Sequence, residues 1–210
     1  MAPKVKLIYF DSWGAGEPIR YLLAYGNIEY EDYRVLVEDW PKVKTSMPFG
    51  QIPVLEWDEK VLYQSTSICR FLAKKMGLAG DDDWEAQEVD ALADTIADLK
   101  QAINEYGWYC SRAERPIKKQ KLIKETLPFI LSRFEKRIGE NNGYLANGKL
   151  SYADFIIAGS TEYFSATMGF DITDGYPKLK ALVDKVHKFP QIKAWVEKRP
   201  KNVYAFKMDD

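Results

Sequence analysis

Hydrophobic positions follow different patterns in the two parts of the chain. In the first part, short apolar runs predict four strands, at 4–9, 30–37, 52–57 and 60–63. Apolar residues at helical spacing predict helices at 17–25 and 65–75, with a loop or short helix at 40–46. This order of elements indicates a small mixed sheet with helices packed on it.

After Asp82 the apolar positions recur only at a helical period. They predict helices at 84–105, 116–138, 151–168 and 176–187, and a short final helix at 192–198. Ser151 and Asp154 resemble a capping box at the start of one of these helices. The polar, glycine-bearing stretch 77–83 is the expected linker. We therefore expect an α/β domain over residues 1–78 and an all-α domain over residues 84–210.

The composition of the chain argues against several classes of binding partner. Thirty basic residues against 31 acidic ones give a net charge of −1, which argues against nucleic acid as the main partner. The first residues lack the apolar core of a signal peptide and no apolar run is long enough to span a bilayer, so we expect no membrane partner. Cys69 and Cys110 are far apart, which is typical of structural thiols in a cytoplasmic protein. His187 is the only histidine, so we expect no metal site, and we expect its side chain to be solvated.

Two features of the predicted sheet indicate that it binds a peptide-like anion. If the Ile52–Pro53 bond is cis, the backbone of Ile52 can offer its N–H and C=O to an extended ligand; an ordinary edge-strand proline is the alternative. Ser65 ends a strand and opens a helix, whose N-terminal N–H groups can hold a carboxylate with help from the Gln64 amide. A simple helix cap at Ser65 is the alternative.

Four motifs in this order resemble the cytosolic glutathione transferases, over essentially the whole chain. They are EDW (38–40), PFGQIPVLE (48–56), YQSTSICRFLAKK (63–75) and SYADF (151–155). The resemblance is greatest to the sigma class, which includes haematopoietic prostaglandin D synthases and many insect enzymes. It implies a thioredoxin-like α/β domain followed by an all-α helical domain, a homodimer, and glutathione as co-substrate without a metal.

The resemblance gives Tyr9, in the stretch YFDSWGAGEPIRYLL (9–23), a catalytic role. In that family a tyrosine at the end of the first strand donates a hydrogen bond to the sulfur of glutathione. A free thiol has a pKa of about 8.5, so such a donor favours the reactive thiolate at neutral pH. Without the resemblance, Tyr9 would be interpreted as a packed strand aromatic.

The resemblance also assigns the other contacts to glutathione. Trp40 and Lys44 match contacts to its glycine end, and the cysteinyl part lies at Gly50, Gln51, Ile52 and Pro53. Gln64 and Ser65 match the pair at the γ-glutamyl carboxylate. Asp98 matches a residue that reaches the γ-glutamyl amine from the other subunit.

Three positions depart from the family pattern. Trp13 and Ala15 stand where two arginines are usual, and Gln51 often has lysine as its counterpart. We therefore expect weakened or redirected activation of the glutathione thiol, and a more apolar entrance to the binding site. Glu17 and Arg20 remain, and we expect them to support the loop and the helix.

The electrophile pocket is expected between the domains. Its expected walls are Phe10, Trp13, Ala15, Tyr106, Trp108 and Tyr109, with Met168 or the tail near Tyr204 as a lid. Aromatic residues at helical spacing can instead belong to the core.

The sequence thus predicts a glutathione transferase that conjugates apolar electrophiles in detoxification. The alternative is a ligand-binding or structural protein on the same scaffold, comparable to ligandins or lens crystallins. The missing arginines favour the alternative, whereas the retained glutathione contacts favour the enzyme.

Overall fold

The computed structural model describes residues 3–201, and its first part is built on a four-stranded mixed sheet. The strands are β1 (Val5–Phe10), β2 (Glu31–Val35), β3 (Val54–Trp57) and β4 (Lys60–Tyr63). Their spatial order is β2-β1-β3-β4, with β1 parallel to β2 and antiparallel to β3. The carboxyl end of β1 therefore lies in the middle of the sheet, with Tyr9 and Phe10 at its end.

Alternation along β1 separates two apolar layers. Leu7 faces the main core, where α1 (Glu17–Tyr25) and α3 (Ser65–Lys75) pack. Ile8 faces the opposite side and joins a small cluster with Val35 and Val54. Trp40 packs on that second cluster from the short helix α2 (Trp40–Val43). Successive side chains of a strand point to opposite faces, so β1 holds both layers together.

The second part is helical in the residues that the structure describes. Its helices are α4 (Asp83–Asn104), α5 (Arg115–Lys121), α6 (Leu127–Glu140), α7 (Tyr152–Met168), α8 (Pro177–His187) and α9 (Pro190–Lys198). Helix α7 is the central one, and nearly all of its residues are buried. Five-residue π-helical turns follow α4 at Glu105–Tyr109 and α5 at Leu122–Thr126.

The predicted fold class, a thioredoxin-like α/β unit followed by a helical one, is confirmed, and most predicted bounds agree within one or two residues. The helix predicted at 116–138 is divided by the π-helical turn at Leu122–Thr126. Ile52 and Pro53 precede β3 and do not belong to it. The division into domains at 1–78 and 84–210 stays a prediction.

The capping box at α7 is present. The Asp154 carboxylate accepts hydrogen bonds from the Ser151 N–H (2.7 Å), the Ser151 hydroxyl (3.0 Å) and the Leu145 N–H (2.9 Å). Burial raises the pKa of Asp154 to about 6, although these donors oppose the rise. The carboxylate thus joins the chain before α7 to the first turn of the helix.

The expected supporting role of Glu17 and Arg20 is confirmed. Both are fully buried, and the Arg20 guanidinium donates to the Glu17 carboxylate and to the Ser12 carbonyl oxygen (2.8 Å). The other Glu17 oxygen accepts from Trp195 Nε1 and from Arg199, each at 2.8 Å. These bonds hold the loop after β1 and the start of α1 in place, because each buried charge has hydrogen-bonding partners.

Two expectations about single residues are wrong. His187 is not a solvated end residue: it is half-buried, with its Nε2 3.0 Å from the Tyr21 hydroxyl, and burial lowers the pKa of its imidazole. Met168 is completely buried, so it cannot be a lid. Tyr204 lies outside the described residues.

Both cysteine thiols are free. Between residues 3 and 201, no helix combines the length and apolar character needed to cross a membrane.

Candidate active site

The position of Tyr9 is fixed by two glycines in the loop after β1. A Cβ at Gly14 would lie 2.5 Å from the Tyr9 hydroxyl oxygen, and a Cβ at Gly16 would lie 2.5 Å from Cδ1 of its ring. Any larger residue at either position would displace the tyrosine. Gly14 also has a φ of +37°, which disfavours other residues. The sequence Gly14-Ala15-Gly16 is therefore shaped around the Tyr9 side chain.

The Tyr9 hydroxyl is a hydrogen-bond donor at neutral pH. Burial raises its pKa, so the phenol keeps its proton; the Ala15 N–H, the charge of Arg20 and Ser12 oppose the rise. The oxygen accepts the Ala15 N–H at 2.9 Å, and the Arg20 guanidinium lies 5.8 Å from the ring centre. The Ser12 side chain also forms a hydrogen bond with this hydroxyl. A serine hydroxyl can act as the donor in that bond, which leaves the Tyr9 proton for a ligand atom.

A cleft of about 500 Å³, the polar cleft, opens beside this loop. It brings together eight of the ten predicted glutathione contacts: Trp40, Lys44, Gly50, Gln51, Ile52, Pro53, Gln64 and Ser65. Phe10, Ala15, Pro48, Tyr63, Lys100 and Tyr109 complete its lining. A groove of this shape can hold an extended peptide-like molecule along the sheet edge.

Two backbone features stand out in the lining of the polar cleft, and the sequence indicates the first of them as one of two alternatives. The Ile52–Pro53 peptide bond is cis. Gln64 has a φ of +67°, a conformation that non-glycine residues rarely adopt and that recurs at ligand-binding positions. Its amide donates to the Gln51 side-chain oxygen at 3.3 Å.

Ser65 is the first residue of α3 and does not cap the helix. Gln64 occupies the N-cap position, and no side chain caps the helix. The Ser65 hydroxyl instead accepts a hydrogen bond from the Lys100 ammonium at 3.1 Å. The simple helix cap, which was the alternative explanation for Ser65, is therefore wrong.

Lys100, on α4, brings a positive charge into the polar cleft. Its side chain is partly buried, and burial lowers the pKa of its ammonium. The buried Cys69 thiol lies behind it, with its own pKa raised by burial to about 12. Cys69 is therefore a neutral thiol at pH 7 and does not neutralise the lysine. No carboxylate between residues 3 and 201 forms an ion pair with the Lys100 ammonium, so its charge is available to an anionic ligand.

A second cavity of about 310 Å³, the aromatic cavity, adjoins the polar cleft, and Phe10 and Tyr109 line both. Its other lining residues are Tyr9, Ser12, Gly14, Val37, Asn104, Trp108 and Tyr163. The Trp108 indole donates to the Tyr163 hydroxyl (2.7 Å), which donates to the Asn104 side-chain oxygen (2.5 Å). Tyr9 thus lies where the two cavities meet, because it lines the aromatic cavity and binds Ala15 in the polar cleft.

Several predicted site residues lie elsewhere. Trp13 lines neither cavity; the Arg199 guanidinium lies 4.4 Å from the centre of its ring. Tyr106 is buried in the core. Ala15 borders the polar cleft and not the aromatic cavity. Asp98 is exposed on α4 and lines neither cavity of its own chain.

Sequence reasoning missed Lys100, Asn104 and Tyr163. Lys100 follows Ile96 by four residues, on the buried stripe of α4, and a lysine on an apolar stripe is a usable signal. Asn104 continues the same face one turn later. Tyr163 gives no such signal, because its residue type suits the core of a buried helix.

Comparison with known proteins identifies the family. The N-terminal glutathione S-transferase domain matches residues 5–74, and the C-terminal domain matches residues 97–199. Glutathione S-transferase S1 of Drosophila melanogaster is 46% identical over 199 residues, which cover 92% of this chain and 78% of the relative. The chain belongs to the glutathione transferase family. Its predicted place as a sigma-like enzyme of that family is confirmed by the Drosophila relative.

Two solved structures resemble this chain over nearly its whole length. The structure of prostaglandin synthase D of Nilaparvata lugens is 44% identical, with a TM-score of 0.91, over 95% of this chain and 100% of that one. Monomeric Na-GST-3, a glutathione S-transferase from the hookworm Necator americanus, is 34% identical, with a TM-score of 0.84, over 96% of this chain and 100% of that one.

Proposed function

We propose that this glutathione transferase conjugates the thiolate of glutathione to small apolar electrophiles, with Tyr9 as the donor to sulfur. The observation that carries the proposal is the Tyr9 hydroxyl, held at the junction of the polar cleft and the aromatic cavity. Because burial raises the pKa of Tyr9, the phenol does not act as a base towards the thiol. It stabilises S⁻ by donating its proton in a hydrogen bond, and the thiol proton leaves to solvent.

Glutathione lies along the polar cleft in this proposal. Its glycine end reaches Trp40 and Lys44, its cysteinyl part pairs with the backbone of Ile52, and its γ-glutamyl carboxylate reaches Gln64 and Ser65. Support comes from the convergence of these residues on one cleft, from three separate segments of the chain. The thiol is then directed at Tyr9.

Lys100 is the cation for the γ-glutamyl carboxylate in this proposal. The ammonium is already within hydrogen-bond distance of Ser65, which is the residue proposed to hold that carboxylate. Charge-assisted hydrogen bonds are about twice as strong as neutral ones. Lys100 therefore adds a charge on α4 to the binding site, although positions 13 and 15 lack the usual arginines.

The aromatic cavity holds the electrophile. Phe10, Trp108 and Tyr109 offer apolar surface, while Tyr163 and Asn104 form a polar wall. A cavity of this kind suits flat or elongated apolar molecules with one polar group. Aryl halides, lipid-peroxidation aldehydes and hydroperoxides fit this description, in keeping with a role in detoxification.

We further propose a homodimer in which Asp98 of one subunit reaches the polar cleft of the other. Support comes from the exposure of Asp98 on α4 and from two strongly exposed aromatic side chains, Phe49 and Trp84, each 80% exposed in the single chain. The hookworm relative is described as monomeric, so the dimer is a proposal for this chain. A cytosolic location also stays a proposal, from the cysteine usage.

The deciding experiment is a pH titration of glutathione bound to the purified protein, followed by thiolate absorbance. We expect the bound thiol to have a pKa below the free value of about 8.5. A hydrogen bond to a charged group contributes about 1.5–3 kcal/mol, so Tyr9→Phe should raise the bound pKa by roughly one to two units and slow conjugation correspondingly.

Phe10→Leu is the matched control, since it changes the neighbouring aromatic residue and leaves the hydroxyl in place. Glutathione binding with an unshifted thiol pKa in the wild-type protein would contradict the proposal. That result would favour a carrier or structural protein that binds glutathione without activating it.

A further inference from the structure

Residues 112–124, which we call the basic ridge, are strongly positive in a nearly neutral chain. They include six basic residues and a single acidic one, Glu114, a net charge of +5 against −1 for the whole chain. The Glu114 carboxylate is engaged by the N–H and hydroxyl of Ser111, at 3.0 and 2.6 Å. Glu125 follows directly after the ridge. The positive charge is therefore concentrated on one short stretch of surface.

The basic ridge has distinct inner and outer faces. On the inner face, Leu122 is buried, the Lys118 ammonium lies 3.7 Å from the Glu105 carboxylate, and Lys119 lies 5.9 Å from the centre of the Tyr106 ring. The outer face is formed by residues that recur at three- and four-residue spacing: Pro116, Ile117, Gln120, Lys121, Ile123 and Lys124.

The outer face combines apolar side chains with cations that form no ion pair within residues 3–201. Ile117 is 72% exposed and Ile123 is 41% exposed, and both border an open groove of about 550 Å³. Lys121 and Lys124 are exposed beside them. A helix face that is only solvated carries polar residues in place of exposed isoleucines. Apolar residues with flanking lysines are typical of helices that lie in the plane of a membrane interface.

The basic ridge also adjoins the aromatic cavity. Trp108 and Tyr109 line that cavity and are 46% and 79% exposed, in the turn directly before the ridge. The Lys118–Glu105 contact holds α5 against this turn. Tryptophan and tyrosine side chains favour the headgroup level of a bilayer. A bilayer on the outer face of the ridge would therefore lie beside the aromatic cavity.

We propose that the basic ridge docks this protein onto the surface of an anionic phospholipid bilayer. Ile117 and Ile123 enter the headgroup region, and Lys121 and Lys124 contact lipid phosphates with their stems along the apolar boundary. The inference rests on charge complementarity and on the exposed isoleucines, and it does not depend on the glutathione chemistry. It revises the expectation of no membrane partner, because that expectation concerned only segments that span a bilayer.

The test is co-sedimentation of the full chain, without glutathione, with vesicles of phosphatidylcholine alone or mixed with phosphatidylserine. We expect binding only to the mixed vesicles, and we expect the bound fraction to decrease as salt is raised.

Each exposed lysine contributes roughly fivefold to partitioning, so Lys121→Gln with Lys124→Gln should weaken binding roughly 25-fold. Ile117→Ser with Ile123→Ser should weaken it at least about tenfold. The matched control is Lys188→Gln with Lys198→Gln, which removes two exposed lysines, one directly after α8 and one at the end of α9, and should bind like the wild type.

Equal sedimentation with both kinds of vesicle would overturn the proposal. So would binding to polyglutamate without binding to vesicles, which would favour an acidic protein partner. Self-association that disappears in the isoleucine variant, again without vesicle binding, would assign the face to a second copy of the chain. Thermal unfolding of each variant verifies that the fold is retained.

Discussion

At the scale of single residues, the chemistry depends on how closely the loop after β1 approaches Tyr9. Gly16 has an ordinary backbone conformation, so only its lack of a side chain matters there. In Gly16→Ala the new Cβ meets the tyrosine ring, and the hydroxyl must leave the Ala15 N–H. We expect conjugation to slow at least about tenfold and the free energy of unfolding to fall by about 1–3 kcal/mol. Steady-state kinetics and urea unfolding measure the two effects.

Gly77→Ala is the matched control for this prediction. Gly77 has a φ of +67°, and none of the described atoms lies within 4 Å of a Cβ built at this position. The variant therefore tests the effect of a glycine replacement without a steric clash. We expect a loss of roughly 1 kcal/mol of stability and unchanged conjugation. Full activity in Gly16→Ala would show that the position of Tyr9 does not control the rate.

A second residue-scale prediction concerns Lys100 and pH. Burial lowers its pKa, so the ammonium loses its proton at a lower pH than a free lysine, whose pKa is about 10.4. A carboxylate needs the charged form, and affinity for glutathione should therefore fall as pH rises through this pKa. Lys100→Met should bind about tenfold or more weakly at neutral pH and should lack this fall.

Calorimetric titration with S-methylglutathione measures the Lys100 effect without the thiol. The ligand amine titrates equally in both proteins, so the ratio of the two affinities isolates the lysine. Lys74→Met, at an exposed position on α3, is the control and should bind like the wild type. An affinity ratio near one at every pH would remove Lys100 from the carboxylate site.

At the scale of elements, the central helix α7 depends on its capping box. Asp154→Ala leaves two buried N–H groups and a hydroxyl without their acceptor, and we expect a loss of roughly 3–5 kcal/mol. Ser151→Ala removes only one of these bonds and should lose about 1 kcal/mol. Urea unfolding compares the two. A smaller loss in Asp154→Ala than in Ser151→Ala would contradict the importance of this carboxylate.

The same carboxylate gives stability a defined pH dependence. The pKa of Asp154 is raised to about 6 in the folded protein, above its unfolded value of 3.8. The folded protein therefore gains stability from the raised pKa of Asp154. This stabilisation is fully present below about pH 4 and is lost as pH rises through about 6. Asp154→Asn has no charge to titrate, so this part of the pH dependence should disappear from its unfolding curves. An unchanged dependence in Asp154→Asn would assign it to other groups.

The elements also show what sequence patterns can and cannot predict. The bounds of α3 follow directly from periodicity, because its buried residues, such as Ile68 and Leu72, face one core. The π-helical turn at Leu122–Thr126 was not predicted, since it adds one residue to a turn without interrupting the apolar pattern. Contacts distant in sequence were missed for a different reason. His187 pairs with Tyr21 and Lys100 with Ser65, and a periodic pattern carries no information about which helices meet.

At the scale of the whole molecule, the polar cleft of one chain is incomplete in the proposed mechanism. Among residues 3–201, its lining offers Lys100 and Lys44 to carboxylates but no acidic side chain to the γ-glutamyl amine. Asp98 is expected to supply that group to another subunit, and in its own chain it is exposed and outside the cleft. This role for Asp98 follows from the resemblance alone, because the pattern of apolar and polar residues in one chain carries no information about contacts with a second chain.

The final prediction is that glutathione affinity depends on protein concentration. If Asp98 acts across a dimer interface, dilution into the monomer range should weaken binding, because the ammonium group loses its charged partner. Asp98→Ala should bind about tenfold more weakly than the wild type at high concentration and show no dependence on dilution. Asp94→Ala, exposed one turn earlier on α4, is the control and should behave like the wild type. Sedimentation velocity at each concentration reports the oligomeric state. A wild-type affinity that stays constant while the dimer dissociates would mean that each chain binds glutathione alone.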